Sequence, residues 1–335
     1  MAQTIHVSEN VIDTDLKLNV QIEIQNGKKG FLPELVDSVT WTTERKDTPG
    51  KLVFSVLWDS KLDIEEGNSV KLTVKGKKVF YGFIFTFSHT KSSVVQITAY
   101  DQIRYLLNKD TYSFKKSTAR GIVKEIAEDY GITTGELEET EYVIPARVLD
   151  NKTLLDMIQD SLEMTLTNTK VLFCLYDKAG KLTLSDVQRM KVGLMIDAES
   201  AEDFSYSSTI DSGVYNVIKL AYEKDDEIKK IYVKKSDSNL KKWGTLQYFE
   251  KITDKSNANN KATTLLNLYN TKNKSLTISG VTGDLRVRAG CLLMVKLKLH
   301  DVSISNWMLV ETCSHRFENN RHTMTLKLRG GEFVG

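Results

Sequence analysis

Apolar and polar residues alternate with a period of two in Val20-Gln21-Ile22-Glu23-Ile24, Val39-Thr40-Trp41-Thr42 and Leu52-Val53-Phe54-Ser55-Val56. That period predicts strands with one buried face. Polar turns at Asn26-Gly27, Pro49-Gly50 and Gly67-Asn68 separate these runs at short intervals. Such spacing, from Leu18 to about Tyr100, suggests a sandwich or small barrel rather than a parallel α/β sheet.

After Asp101 the period lengthens. Ala119, Ile122, Val123, Ile126, Ala127 and Tyr130 form one stripe, which predicts a helix with Ser117 as N-cap and Gly131 as stop. A second helix is expected after Asn151, with Leu154, Leu155, Ile158 and Leu162 on one side. A hairpin from Val171 to Leu184 follows, turning at Asp177-Lys178-Ala179-Gly180. β patterning resumes near Phe204, with strands at 213–221, 229–233 and 245–252, a helix around Asn260 to Tyr269, and further strands from Ser275. The expected fold is mainly β with an α+β insertion: a first barrel at 1–103, an α+β domain at 104–200, and a second barrel with one helix at 201–335.

The two β regions share a unit. Gly67 precedes Val70, Leu72 and Val74, a turn at Lys75-Gly76-Lys77, the run Phe80 to His89, and the return Val94 to Tyr100. Gly290 precedes Leu293, Val295 and Leu297, a turn near His300-Asp301, the run Trp307 to His315, and the return Thr323 to Leu328. Both middle runs end in Ser-His. Two similar barrels offer two similar surfaces, so ring assembly stands against enzyme chemistry as the hypothesis to test.

The 335 residues suffice for two or three domains, and 41% hydrophobic with 27% charged residues is ordinary for a folded chain. With 46 Lys and Arg against 44 Asp and Glu, no basic field favours nucleic acid as a partner. No apolar stretch approaches bilayer length, so no membrane insertion is expected. Met1 to His6 lacks a secretory pattern, which points to synthesis in the cytosol. Cys174, Cys291 and Cys313 are far apart in apolar text and read as buried thiols, not as a disulfide framework or metal site.

Candidate chemistry is sparse. With a turn at Asn319-Asn320, Phe317 faces His322 and His315 faces Met324, so both imidazoles share a face. Its remaining residues, Phe317, Met324 and Leu326, cannot complete a zinc site, and core or interface histidines are the reading. Ser113-Phe114-Lys115-Lys116 matches S-x-x-K by letter but lacks the partner motifs of a penicilloyl-serine site. The acidic pairs Glu65-Glu66, Glu138-Glu139 and Asp225-Asp226 read as solvated surface rather than glycosidase carboxylates. Lys229, Lys230, Lys234, Lys235, Lys241 and Lys242 read as an exposed ribbon with lysine guarding its edges. Glu311 breaks its strand's alternation, so either a bulge re-aims it or it meets a partner, the bulge being slightly favoured. No catalytic residue, metal ligand or cofactor is assigned.

The run Trp307 to His315 followed by His322 to Leu328 resembles the end of the tail hub proteins of contractile phage tails, nearest the XkdQ and YqbQ group. Ile97-Thr98-Ala99-Tyr100-Asp101, Leu106-Leu107-Asn108, Tyr215-Asn216-Val217-Ile218 and Leu285 to Gly290 agree with that resemblance, which spans nearly the whole chain. It implies two tube-type barrels per chain and a homotrimer, a pseudo-sixfold adapter between a sixfold tail tube and a threefold central spike. Implied partners are the tube or a tube-initiator protein, the spike and other baseplate proteins. The implied location is the tail or baseplate of a phage or phage-tail-like particle, such as a prophage particle or R-type bacteriocin, assembled in the host bacterial cytoplasm. Because the sequence stops at Gly335, a spike is expected to be a separate polypeptide. The alternative is a tail-associated cell-wall hydrolase or carbohydrate-binding component acting through Tyr112 to Leu184.

Overall fold

The computed structural model describes residues 18–59, 62–89, 93–225, 227–299 and 302–330. Met1 to His6, the His300-Asp301 turn, Asp226 and Gly335 lie outside the described residues. The first half contains β1 (Val20–Asn26), β2 (Lys29–Phe31), β3 (Leu35–Glu44), β4 (Lys51–Leu57), β5 (Ser69–Val74), β6 (Lys77–His89) and β7 (Val94–Tyr100). Its hydrogen-bonded order is β2-β1-β5-β6-β7-β4-β3. The alternation noted in the sequence puts Ile22, Ile24, Leu52, Phe54, Leu72, Ile84 and Ile97 into one core.

The middle of the chain supplies β8 (Lys109–Phe114), β9 (Ser117–Thr118), α1 (Ala119–Asp129), β10 (Thr134–Leu137), β11 (Val143–Ile144), β12 (Arg147–Thr153), α2 (Leu154–Thr169), β13 (Phe173–Asp177) and β14 (Leu182–Asp186). Ile122 and Ile126 of α1 pack with Leu154 and Ile158 of α2 and with Leu182 and Leu184 of β14. The N-cap of α1 is Thr118, whose hydroxyl accepts from the Gly121 amide, and not Ser117. Ser117 is held one residue earlier in a two-stranded ladder opposite Ile144. Gly131 follows the helix with φ +62°, in keeping with its reading as the stop.

The remainder holds β15 (Lys191–Ile196), β16 (Asp203–Thr209), β17 (Val217–Lys224), β18 (Glu227–Lys235), α3 (Asp237–Trp243), β19 (Gln247–Ile252), α4 (Ala258–Tyr269), β20 (Asn273–Thr282), β21 (Leu292–Leu299), β22 (Val302–Glu318) and β23 (Arg321–Gly330). The main order is β16-β20-β23-β22, with β21 on β22 and β15 on β21. β15 lies inside the stretch expected at 104–200, yet Val192 and Ile196 pack in the second half's core. It runs parallel to β21, whereas β1, in the corresponding place beside β5, is antiparallel. Between β16 and β20 the chain detours through the sheet β18-β17-β19, covered by α4 through Ile218, Leu220, Ala262 and Leu265. α3 was not expected; it has no buried residue, so no apolar stripe announces it.

The mainly β class with an α+β insertion holds. Among the described residues, however, neither half closes its ladder into a ring. Instead β22 pairs β3, and both halves join one thirteen-stranded sheet.

Candidate assembly interface

The joint exists because β22 is long. Val302 to Leu309 pair β21, and Thr312 to Phe317 pair β3 on the same edge, while β23 occupies the other. The register sets His315 opposite Trp41 and Ser314 opposite Thr42. The rings of His315 and Trp41 stack with centroids 4.7 Å apart, and Ser314 Oγ lies 2.9 Å from Thr42 Oγ1. Phe317, from the second half, is buried in the first half's core. Thr43 Oγ1 accepts from the Ala289 amide, tying the start of the second meander to the first half.

Glu311 meets both alternatives raised for it. The β22–β23 register shifts between Val310 and Thr312, and the bulged Glu311 turns to Arg45, one residue beyond β3. Arg45 Nε and Nη2 donate to Glu311 Oε2 and Oε1 at 2.8 and 3.0 Å, and the Arg45 amide donates to the Glu311 carbonyl. Side-chain exposures of 7% and 22% make this a sheltered bidentate pair.

His315 and His322 share a face, as the turn predicted. Asn319 and Asn320 adopt φ +48° and +61°, which suits a tight hairpin of the right twist. His315 Nε2 lies 2.9 Å from the Val287 carbonyl oxygen, which can only accept, so Nε2 carries the proton. His315 Nδ1 is then the acceptor for His322 Nε2–H at 2.9 Å. Burial, then the neighbouring His322, push the His315 pKa down to about 3; burial, then the Lys75 charge, push His322 down to about 4. Both are neutral hydrogen-bonding groups, and no cluster of three or more metal-binding side chains occurs among the described residues.

The other flagged residues do not converge. Ser113 lies in β8 opposite Val148, and Lys115 and Lys116 are exposed. Glu65 and Glu66 are exposed, while Glu138 and Glu139 turn to different partners, the Asp186 amide and Arg120. β18 is an edge strand carrying Lys229, Lys230, Lys234 and Lys235, as the ribbon reading expects, but Lys241 and Lys242 fall in α3, where the Ser236 hydroxyl caps a helix instead of continuing the strand. All three cysteines are buried and free, and burial raises Cys174 to about 11.

A second junction escaped the sequence reading. Asp101, buried after β7, accepts from the Gly50 and Ile103 amides at 3.0 and 3.1 Å. Gln102 donates to Asp177 Oδ2 at 2.8 Å, and Arg288 donates to the Asp177 carbonyl at 2.9 Å while lying over the Tyr176 ring. These bonds fasten the first half, the α+β unit and the second half together. Burial raises both carboxyl pKa values, Asp101 well above the ordinary range. Both carboxyl groups accept hydrogen bonds from neighbouring backbone amides, which fixes them in the junction. No spacing rule links residues so distant.

The arrangement is thus a duplicated β meander with a strand-pairing joint between the copies. The model of the YQBQ-like family matches residues 39–329. The chain belongs to the YQBQ-like family. Phage-like element PBSX protein XkdQ from Bacillus subtilis (strain 168) is 31% identical over 311 residues, covering 88% of this chain and 93% of XkdQ. The tail protein from Neisseria meningitidis MC58 matches with TM-score 0.71 at 12% identity, covering 94% of this YQBQ-like chain and 97% of its own. The Escherichia coli c3393 protein matches with TM-score 0.54 at 12% identity, covering 94% and 78%. It is described as a type VI secretion component with structural similarity to the T4 tail proteins gp27 and gp5. At such identities these two likenesses concern the fold: this YQBQ-like chain has the fold of phage tail proteins.

Proposed function

We propose that the chain is a structural hub of a phage tail or phage-tail-like particle, working as a homotrimer whose duplicated halves form a pseudo-sixfold ring. The observation that carries this is the duplication: each half presents the same meander, so three chains offer six similar units to a sixfold tube while keeping threefold symmetry for a spike. Kinship with XkdQ, a phage-like element protein, and a fold shared with tail proteins support it. The partners that follow are the tube or its initiator, the central spike and other baseplate proteins, in a particle assembled in the bacterial cytoplasm. The divisions at 1–103, 104–200 and 201–335 serve as its units, with β15 counted to the last.

Function on this reading passes through interfaces, and no bond is broken. Light scattering of the purified full chain across concentration should give three copies per particle. A monomer at every concentration, including in protein recovered from assembled tails, would overturn the trimer. Clearing of a cell-wall substrate that a single Asp or Glu substitution between Tyr112 and Leu184 abolishes would replace the hub with a hydrolase.

A further inference from the structure

The joint inside the chain uses one edge from each half and leaves the equivalent pair of edges open. The halves can be aligned atom by atom. The Gly67 amide donates to the Ile84 carbonyl and the Ile84 amide to Asn68; the Gly290 amide donates to the Val310 carbonyl and the Val310 amide to Cys291. Both middle strands bulge just after these residues, at Phe85 and Glu311. Thr86, Ser88 and His89 therefore occupy the places of Thr312, Ser314 and His315. On the far side, Thr42 opposes Lys51, which opposes Tyr100, and Ser207 opposes Ser275, which opposes Arg329. Tyr100 and Arg329 oppose Phe83 and Leu309, each one residue before the Ile84 and Val310 positions. Ser205-Tyr206-Ser207-Ser208 thus stands where the first half has Thr40-Trp41-Thr42-Thr43, with the same alternation of hydroxyl and aromatic.

In β22 the edge after the bulge is filled by β3. In β6 the same edge, from Thr86 to His89, has no strand beside it among the described residues, and β16 has a strand only on its β20 side. Thr86, Ser88 and His89 are exposed, as are Ser205, Ser207 and Ser208, whereas His315 is fully buried. Neither open edge carries the lysine that guards β18, nor a proline. We propose that β6 of one protomer pairs antiparallel with β16 of a second copy, in the register Thr86 to Thr209, Phe87 to Ser208, Ser88 to Ser207 and His89 to Tyr206. This rests on the trimeric reading and specifies its contact. Each chain then offers one edge of each kind, which is a head-to-tail contact able to close into a ring.

The bulge position explains why the two joints do not exchange partners. Inside the chain it holds the Arg45–Glu311 pair. Between chains the equivalents are Ile210 and Phe85, an apolar pair. Mispairing β22 with β16, or β6 with β3, would leave Glu311 against Ile210 or Arg45 against Phe85, a sheltered charge without its counter-ion.

The test uses the full chain carrying Ser88→Cys and Ser207→Cys; the native cysteines are buried. The 2.9 Å approach of Ser314 to Thr42 shows that side chains at this pair reach each other, as a disulfide needs. Mild oxidation should convert most of the protein into covalent trimer on a denaturing gel, at least tenfold more than Ser88→Cys with Ser205→Cys, one same-face position away. A trimer by native mass that does not cross-link at 88 and 207, or links equally at 205, overturns the pairing and spares the trimer. Cross-linked open chains of varied length support the pairing and overturn the threefold ring. A monomer without cross-links overturns both.

Discussion

The imidazole of His315 lies on the indole of Trp41, with planes 14° from parallel, and this contact joins β22 of the second half to β3 of the first. Trp41 is 5% exposed and packs in the first half's core. Trp41→Ala should therefore cost roughly 3–5 kcal/mol in urea unfolding, the range for a large buried aromatic. Because the indole also dries His315, the variant should let that histidine titrate closer to its ordinary range. An unchanged His315 titration would show that the stack does not provide its burial.

The Arg45–Glu311 pair makes a separate prediction. Arg45→Met leaves a sheltered carboxylate facing Arg329 Nη1 only at 3.9 Å, and should cost about 2–4 kcal/mol. The double variant Arg45→Met, Glu311→Leu should recover most of that loss, since two apolar groups replace two charges. A double variant as unstable as the sum of the singles would mean the pair is not coupled.

Gly67 and Gly290 hold equivalent places with φ +88° and +91°. Alanine at either strains the backbone by about 1–2 kcal/mol. At Gly67 the new methyl meets nothing within 4 Å, but at Gly290 it lies 2.5 Å from Cys174 Sγ. Gly290→Ala should thus lose clearly more stability than Gly67→Ala in chemical denaturation. Equal losses would mean that the Cys174 side of the second half yields freely.

Local pattern carried what depends on neighbours in sequence. The period of two placed the meander strands, the stripe from Ala119 to Tyr130 placed α1, and Asn319-Asn320 marked the turn that brings His315 and His322 together. Residues joined across the fold left no such trace. Arg45 is 266 positions from Glu311, and nothing about an arginine at a strand end announces its partner. The odd parity of Glu311 was the one readable sign, because a charge among inward-facing residues requires a bulge or a counter-ion. β15 escaped because a short parallel edge strand lacks a hairpin turn beside its partner. The continuous sheet escaped for a related reason: two copies of a unit look independent until one strand is seen to outrun its own partner.

The histidine chain gives stability a pH dependence of known sign. An unfolded histidine takes up a proton near pH 6.5, whereas folded His322 and His315 resist protonation until about 4 and about 3. Between those values the unfolded chain binds more protons, so the stabilisation is fully present above pH 6.5 and is lost as pH falls through 4 and 3. Asp101 and Asp177 act in the opposite sense, since their raised carboxyl pKa values favour the folded state on the acid side and lose that effect as pH rises through them. The total slope therefore mixes the two, and a variant must isolate the histidines. His322→Gln keeps a side-chain N–H able to donate to His315 Nδ1 and removes one titrating group. Because His322 is half-buried, its share of the acid sensitivity is reduced by solvent to roughly 1–2 kcal/mol. Urea unfolding of both proteins between pH 7 and pH 4 should show the variant losing less stability by about that amount, and ring-proton NMR should show His315 still neutral at pH 5. Parallel pH profiles, or a His315 that protonates near pH 6, would refute the neutral hydrogen-bonded chain from His322 through His315 to the Val287 carbonyl.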